Sequence, residues 1–111
     1  TSLRNLAGLY EDRGEYDRAL PLYEEALAIR RAALPSNHPD VDTSVRELAY
    51  LYESQGEYDR ALPLYEEALA LRRAALPAGH PEIATSLNNL AGLYKSKREH
   101  ARSLPLYEEA L

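Results

Sequence analysis

GEYDRALPLYEEAL occupies residues 14–27, and the same fourteen letters return at residues 56–69. A worn copy, REHARSLPLYEEAL, fills residues 98–111. Thr1-Ser2, Thr43-Ser44 and Thr85-Ser86 stand at the same place before each copy and set a period of 42. Residues 1–42 and 43–84 agree at 31 of 42 positions, and residues 85–111 agree with the first 27 at 19. A fixed period of this size means stacked supersecondary units, each unable to bury its apolar face alone. The expected organisation is one domain over 1–111, with repeat 1 at 1–42, repeat 2 at 43–84 and a truncated repeat 3 at 85–111.

Each unit reads as two helices. Leu3, Leu6, Ala7 and Tyr10 recur at helical spacing and make one apolar face. Gly14 suits a left-handed C-terminal turn. Ala19, Leu20, Leu22, Tyr23, Ala26, Leu27, Ile29, Ala33 and Leu34 nearly fill one side of a second helix, which stops at Pro35. Arg30 and Arg31 in its last turn suit the negative end of the helix dipole. A polar turn, Ser36-Asn37-His38, leads to Pro39 as the first residue of the next helix, with Asp40 at its positive end. The predicted pairs are about 1–13 with 17–34, 39–55 with 59–76, and 81–97 with 101–111. With a second helix beginning near Asp17, Pro21 falls at the end of the first turn, where a missing N–H costs little. Pro63 and Pro105 read the same way. Ala7, Ala19, Ala49 and Ala61 are the expected points of close helix approach.

Composition narrows the function. Apolar residues are 45% and charged residues 28%, the balance of a folding, water-compatible chain. No apolar run approaches the roughly 18–20 residues of a membrane span. No leader is visible, and cysteine is absent, so the reading is cytoplasmic, with no disulfide, thiol nucleophile or thiolate metal site. A start at Thr1 rather than Met reads as a piece of something longer. The net charge of −5 disfavours nucleic acid, whose phosphates need a surplus of Lys and Arg. Charge is uneven: repeats 1 and 2 each carry −3, and residues 85–111 carry +1.

These residues resemble the tetratricopeptide repeat. Leu3-x2-Leu6-Ala7-x2-Tyr10, Ala19-x3-Tyr23 and Ala26 follow its signature in the first unit. Val45, Leu48, Ala49, Tyr52, Ala61, Tyr65 and Ala68 follow it in the second, and Leu87, Leu90, Ala91, Tyr94, Ser103, Tyr107 and Ala110 in the third. Aliphatics replace the family's Trp, Ala its Gly and Tyr its Phe. The unit of 42, with its H-P turn, looks like the repeats of kinesin light chain. The resemblance implies an all-α fold, a right-handed α-solenoid of antiparallel helix pairs forming a TPR-like superhelix. The third unit departs from the pattern: Arg98 stands at the glycine of the turn, His100 replaces Tyr16 and Tyr58, and Ser103 replaces Ala19 and Ala61.

Catalytic chemistry finds no footing. There is no phosphate loop, dinucleotide fingerprint, zinc-protease motif or calcium loop. The pairs Glu24-Glu25, Glu66-Glu67 and Glu108-Glu109 point about 100° apart on a helix and read as a solvated outer face. His38 and His80 read as turn residues held extended by the next proline and touching a neighbouring helix. No enzyme activity, metal or cofactor is expected. Lys95, Lys97, Arg98, His100 and Arg102 form a basic cluster that reads as an ordinary solvated loop or a face for an acidic partner.

The resemblance implies a concave groove lined by the first helix of each repeat. Carried over by alignment, its partner-binding residues are Arg4, Asn5, Glu11 and Asp12, then Arg46, Glu47, Tyr50 and Glu53, then Asn88, Asn89 and Lys95, with Thr1, Thr43, Thr85, Gly8, Gly92, Ser54 and Ser96 beside them. Asn5 and Asn89 suit hydrogen bonding to an extended backbone, with Glu47 interrupting the column. Arg4 and Arg46 suit a carboxylate, while Glu11, Asp12 and Glu53 suit a basic segment. Tyr50 stands where the other units have Gly8 and Gly92, an aromatic for partner contact. The expected partner is a peptide or protein segment. Apolar ends further imply open head-to-tail self-association. The alternatives are a designed or idealised repeat fragment without a dedicated ligand, and a regulatory module of a larger enzyme or signalling protein.

Overall fold

The computed structural model describes residues 2–35 and 37–111. Thr1 of the predicted groove and Ser36 of the predicted turn lie outside the described residues. Six helices follow one another: α1 (Ser2–Asp12), α2 (Tyr16–Ala33), α3 (Pro39–Ser54), α4 (Tyr58–Ala75), α5 (Pro81–Ser96) and α6 (His100–Ala110). Each packs on its neighbours in sequence, giving a right-handed α-solenoid of antiparallel pairs, 38 × 31 × 19 Å in extent. Among the described residues there is no strand, and no helix is long and apolar enough to cross a membrane.

Small residues set the helix spacing. Ala7, Ala19, Ala49, Ala61 and Ala91 are fully buried, and Ser103 is buried at the sixth such place. Without long side chains there, the helices of a pair approach closely, and van der Waals contact is gained along both. Around them pack Leu27, Val41, Val45, Leu48, Leu51, Leu69, Ile83, Leu87, Leu90 and Leu93.

Each pair is closed by the same left-handed turn. Gly14 and Gly56 have φ of +74° and +76°. The Glu15 N–H donates to the Tyr10 carbonyl at 2.8 Å and the Gly14 N–H to the Glu11 carbonyl at 2.9 Å, capping the last turn of α1. Glu57 and Gly56 repeat this on α3, and Glu99 and Arg98 on α5. Arg98 is therefore forced to a φ of +63°, where a Cβ crowds the carbonyl.

Three sequence expectations shift. α2 begins at Tyr16, so Pro21 is its sixth residue and lies inside the helix. The bond it forfeits is to the Asp17 carbonyl. Pro21, Pro63 and Pro105 are all exposed, so water can take up the freed carbonyl and the helix continues. His38 and His80 do more than hold the turn extended. Each caps its own helix, with Nδ1 accepting from the N–H of Asp40 at 3.0 Å or Glu82 at 3.1 Å. Arg30 does more than face a dipole. Its guanidinium donates to the Asp40 carbonyl at 2.8 Å and to Ser44 Oγ at 3.0 Å on the next pair. Arg72, buried, repeats both bonds to the Glu82 carbonyl (2.6 Å) and Ser86 Oγ (3.0 Å) and adds Asp42 at 3.2 Å.

Replacing Arg98 by Gly removes the left-handed penalty and is expected to stabilise the chain by about 1 kcal/mol. Gly56→Ala is expected to cost about as much, for conformational reasons alone, since no side chain approaches within 4 Å of its would-be Cβ. Urea unfolding of both variants checks the pair. Equal midpoints would mean that the turn is unstrained.

Candidate functional site

The first helices α1, α3 and α5 present equivalent positions, because α3 and α5 bury the same stripe and α1 buries Ala7 at the matching place. Equivalent columns run Arg4, Arg46 and Asn88; Asn5, Glu47 and Asn89; Gly8, Tyr50 and Gly92; Glu11, Glu53 and Lys95. Asn5, Asp12, Tyr50, Asn88 and Lys95 are exposed on it, and Arg4, Glu11, Arg46, Glu47, Glu53 and Asn89 are half-buried. Tyr50 is 57% exposed, against 0% and 7% for the buried Leu51 and Tyr52 that follow it. It is the large aromatic side chain exposed on this face.

Several candidate residues are already engaged with one another. Arg4 forms a two-pronged pair with Glu47 across α1 and α3, Nε to Oε1 at 2.9 Å and Nη2 to Oε2 at 2.6 Å. Arg4 is therefore not an open carboxylate receptor, and Glu47 interrupts the asparagine column because it has this work. Glu11 and Glu53 accept hydrogen bonds from the hydroxyls of Tyr23 (2.8 Å) and Tyr65 (2.7 Å) on the second helices. These bonds temper their expected pull on a basic segment. Arg46 is different. It has no glutamate opposite, since the residue there is Asn89, and it turns back four residues so that Nε meets Asp42 Oδ2 at 3.3 Å.

Lys95 makes no hydrogen bond or ion pair with another described residue, unlike the two glutamates it replaces. Tyr107, its second-helix neighbour by position, correspondingly has no carboxylate acceptor among the described residues. The Tyr107 hydroxyl lies over Gly92, 3.9 Å from where a Cβ would stand.

The other predicted features resolve into packing. The glutamate pairs are not a uniform solvated face. Glu67 forks onto Arg31 at 2.6 and 2.8 Å, Glu109 meets Arg73 at 2.6 Å, and Glu24 accepts from Tyr52 at 2.8 Å. Second helices of successive pairs lie alongside, so residues 36 apart come together. The basic cluster is partly spent as well: Lys97 bridges to Asp59 at 2.9 Å and to Glu99 at 3.4 Å. Sequence reasoning missed one column. Arg18, Arg60 and Arg102 each lie 5.9 Å from the ring centroid of Tyr10, Tyr52 or Tyr94. An arginine eight residues after every signature tyrosine was the available signal. Among the described residues, no three His, Asp or Glu side chains gather as metal ligands would.

The chain matches the family profile "Tetratricopeptide repeat" over residues 1–74 and again over 40–111. No curated protein matches it. Among solved structures it is similar to a candidate kinesin light chain of Podosopora anserina with nearly identical TPR-like repeats. That match has 30% identity and a TM-score of 0.86, covering 98% of this chain and 52% of the other. It is also similar to BtubC (BKLC) of P. vanneervenii, at 27% identity and a TM-score of 0.86, over 97% of this chain and 43% of that one. The chain thus spans about half the length of these relatives. The TPR domain of Arabidopsis FLU shares the fold at 17% identity, with a TM-score of 0.80 over 98% of this chain and 88% of that domain.

Burial, and then the bond to Glu53, push the Tyr65 phenol well above the usual tyrosine value, and Tyr23 is raised by burial and Glu11. The folded pKa lies above the unfolded one, so this stabilisation is full below about pH 10 and is lost as pH rises beyond it. Urea midpoints measured from neutral pH upward are expected to hold steady and then fall above about pH 10. Tyr65→Phe should make that fall shallower. An alkaline slope unchanged by Tyr65→Phe and Tyr23→Phe would contradict the assignment.

Proposed function

The chain belongs to the tetratricopeptide repeat family, and from that premise we propose that it binds a peptide or protein segment along the groove lined by α1, α3 and α5. Proteins with this fold generally act as protein–protein interaction modules and are typically non-enzymatic scaffolds. We treat residues 1–111 as one unit of two 42-residue repeats followed by the 27 residues 85–111. The observation that carries the reading is Tyr50, more than half exposed in the middle helix of that face where the equivalent positions are glycine. A large aromatic without intramolecular burial favours partner contact. Around it Asn5, Asn88 and Asn89 offer paired donors and acceptors to an extended backbone, and Asp12 and Lys95 add opposite charges at the rim.

Peptides selected from a random display library against the 111-residue chain test this. Their affinity is expected to fall about tenfold with Tyr50→Ala, the scale of a central aromatic contact. Arg46→Ala should weaken them as well, and Glu25→Ala on the exposed side of α2 should not. Binding indifferent to both Tyr50→Ala and Arg46→Ala would move the site off the groove.

A second reading, head-to-tail self-association, is favoured by the two end helices. Leu6 and Leu9 are 43% and 61% exposed on α1, whereas their equivalents Leu48, Leu51, Leu90 and Leu93 are at most 5% exposed. On α6, Leu104 is 60% exposed. Unlike surfaces at opposite ends join into an open string of copies. Sedimentation should show mass rising with concentration, and Leu9→Glu should abolish the rise. A pure monomer at high concentration would sink this reading.

A further inference from the structure

The edge of the solenoid where each first helix turns into its second carries a link that one interface completes and the other does not. Lys97, just after α5, reaches back to the preceding pair and meets Asp59 in the first turn of α4 at 2.9 Å, with its own Glu99 at 3.4 Å. One period earlier the same two places across the interface hold Gln55 and Asp17. Gln55 makes no such link: among the described residues its Nε2 is buried without a hydrogen-bond partner. Asp17 likewise has no ion pair among the described residues, although Glu15 beside it has two. The edge is open between them. A hollow of about 320 Å³ is lined by Gly14, Glu15, Tyr16, Asp17, Arg18 and Gln55. Where the second interface holds the Lys97 side chain, the first thus holds space.

We propose that this hollow is a binding site for a lysine side chain presented by a partner protein segment, with its ammonium donating to Asp17 as Lys97 donates to Asp59. The site lies on the turn edge, away from the face of α1, α3 and α5, and does not depend on the groove reading. Charge selects the ligand. Glu15 is held by Arg13 at 3.2 Å and Arg18 at 3.8 Å, which leaves Asp17 as the carboxylate without a counter-charge. Arg18 lies over the Tyr10 ring and does not bar a second cation, because Arg60 stands the same way over Tyr52 next to the Lys97–Asp59 bridge. The positive end of the α2 dipole does not bar it either, since Asp59 holds Lys97 at the same end of α4. Shape selects it further. A compact ammonium on a flexible four-carbon stem can lay its methylenes along the wall of the hollow and put its charge at the rim. Gln55 gives way at little cost, because its buried Nε2 has no acceptor to lose.

The test is an NMR titration of the whole labelled chain with a nine-residue Gly/Ser peptide, blocked at both ends, with one central lysine. The control peptide carries norleucine there, the same stem without the charge. The lysine peptide should shift the amides of Tyr16 and Asp17 and the side-chain amide of Gln55, saturating with a Kd on the order of millimolar, as one partly exposed ion pair allows. Salt should weaken it, and the norleucine peptide should leave those signals in place. Asp17→Asn should weaken binding about fivefold. Gln55→Lys copies the residue the chain already folds around at 97, so the amide spectrum should stay folded while the hollow is filled from within and peptide binding is lost. Tyr50→Ala should change nothing, which separates this site from the groove. Absence of shifts, equal shifts with norleucine, or binding that survives both Asp17→Asn and Gln55→Lys overturns the proposal. Shifts at Gln55 that grow with the concentration of the chain alone and disappear in Lys95→Gln would give the hollow to a second copy and overturn it as well.

Discussion

A guanidinium at the end of each full-length second helix fixes how one pair meets the next. Arg72 is buried, and it holds a backbone carbonyl, a serine hydroxyl and a carboxylate from two first helices. Arg30 makes the same two bonds one unit earlier. Hydrophobic contact alone would let stacked pairs slide, since it is non-directional. A planar donor group facing three fixed acceptors does not slide. The angle between units follows from it, and so does the alignment of α1, α3 and α5 into one face. Removing such a side chain also strands its partners, and losing one member of a buried ion pair typically costs about 3–5 kcal/mol. Register and the common orientation of the first helices thus share one origin.

Much of this was legible in the letters. The period of 42, the alanines at the crossings, the glycine turns and Pro39 as first helical residue all express single-residue physics, which sequence displays directly. The fold followed from them. What was not legible involved two residues from different units. Nothing near Arg4 names Glu47 as its partner, and nothing near Glu67 names Arg31, because those meetings depend on how pairs stack. A one-residue difference in where α2 starts has a physical consequence, since it sets Pro21 beyond the turn whose N–H groups are idle and into one where it forfeits a bond. The letters alone show the histidines only as turn residues before a proline. Imidazole Nδ1 two residues before an N–H is a cap with the same logic as Asn, and the H-P-D and H-P-E strings encode it.

The candidate face shows the same division. The spacing of the apolar stripe indicates which positions face away from the core, but not which of them remain available. Arg4 and Glu47 neutralise each other, and Glu11 and Glu53 are occupied by tyrosines, while Lys95 has no partner among the described residues. A column of aligned residues gives candidates. Contact with the adjoining column decides which of them can still bond to something else.

The near identity of α2 and α4 also bears on how the chain reaches this state. Either helix can occupy the other's slot with the same alanines, tyrosines and glutamates, so early collapse offers pairings that are one unit out of step and nearly equal in contact energy. Loop closure disfavours the more distant partner only weakly. The discrimination falls to the few positions that differ, such as Glu47 opposite Arg4 and Lys97 opposite Asp59. Surface ion pairs that contribute little to the depth of the native basin then act as its address, and their screening by salt would raise the share of slipped and domain-swapped chains before it changed the stability of correctly folded ones.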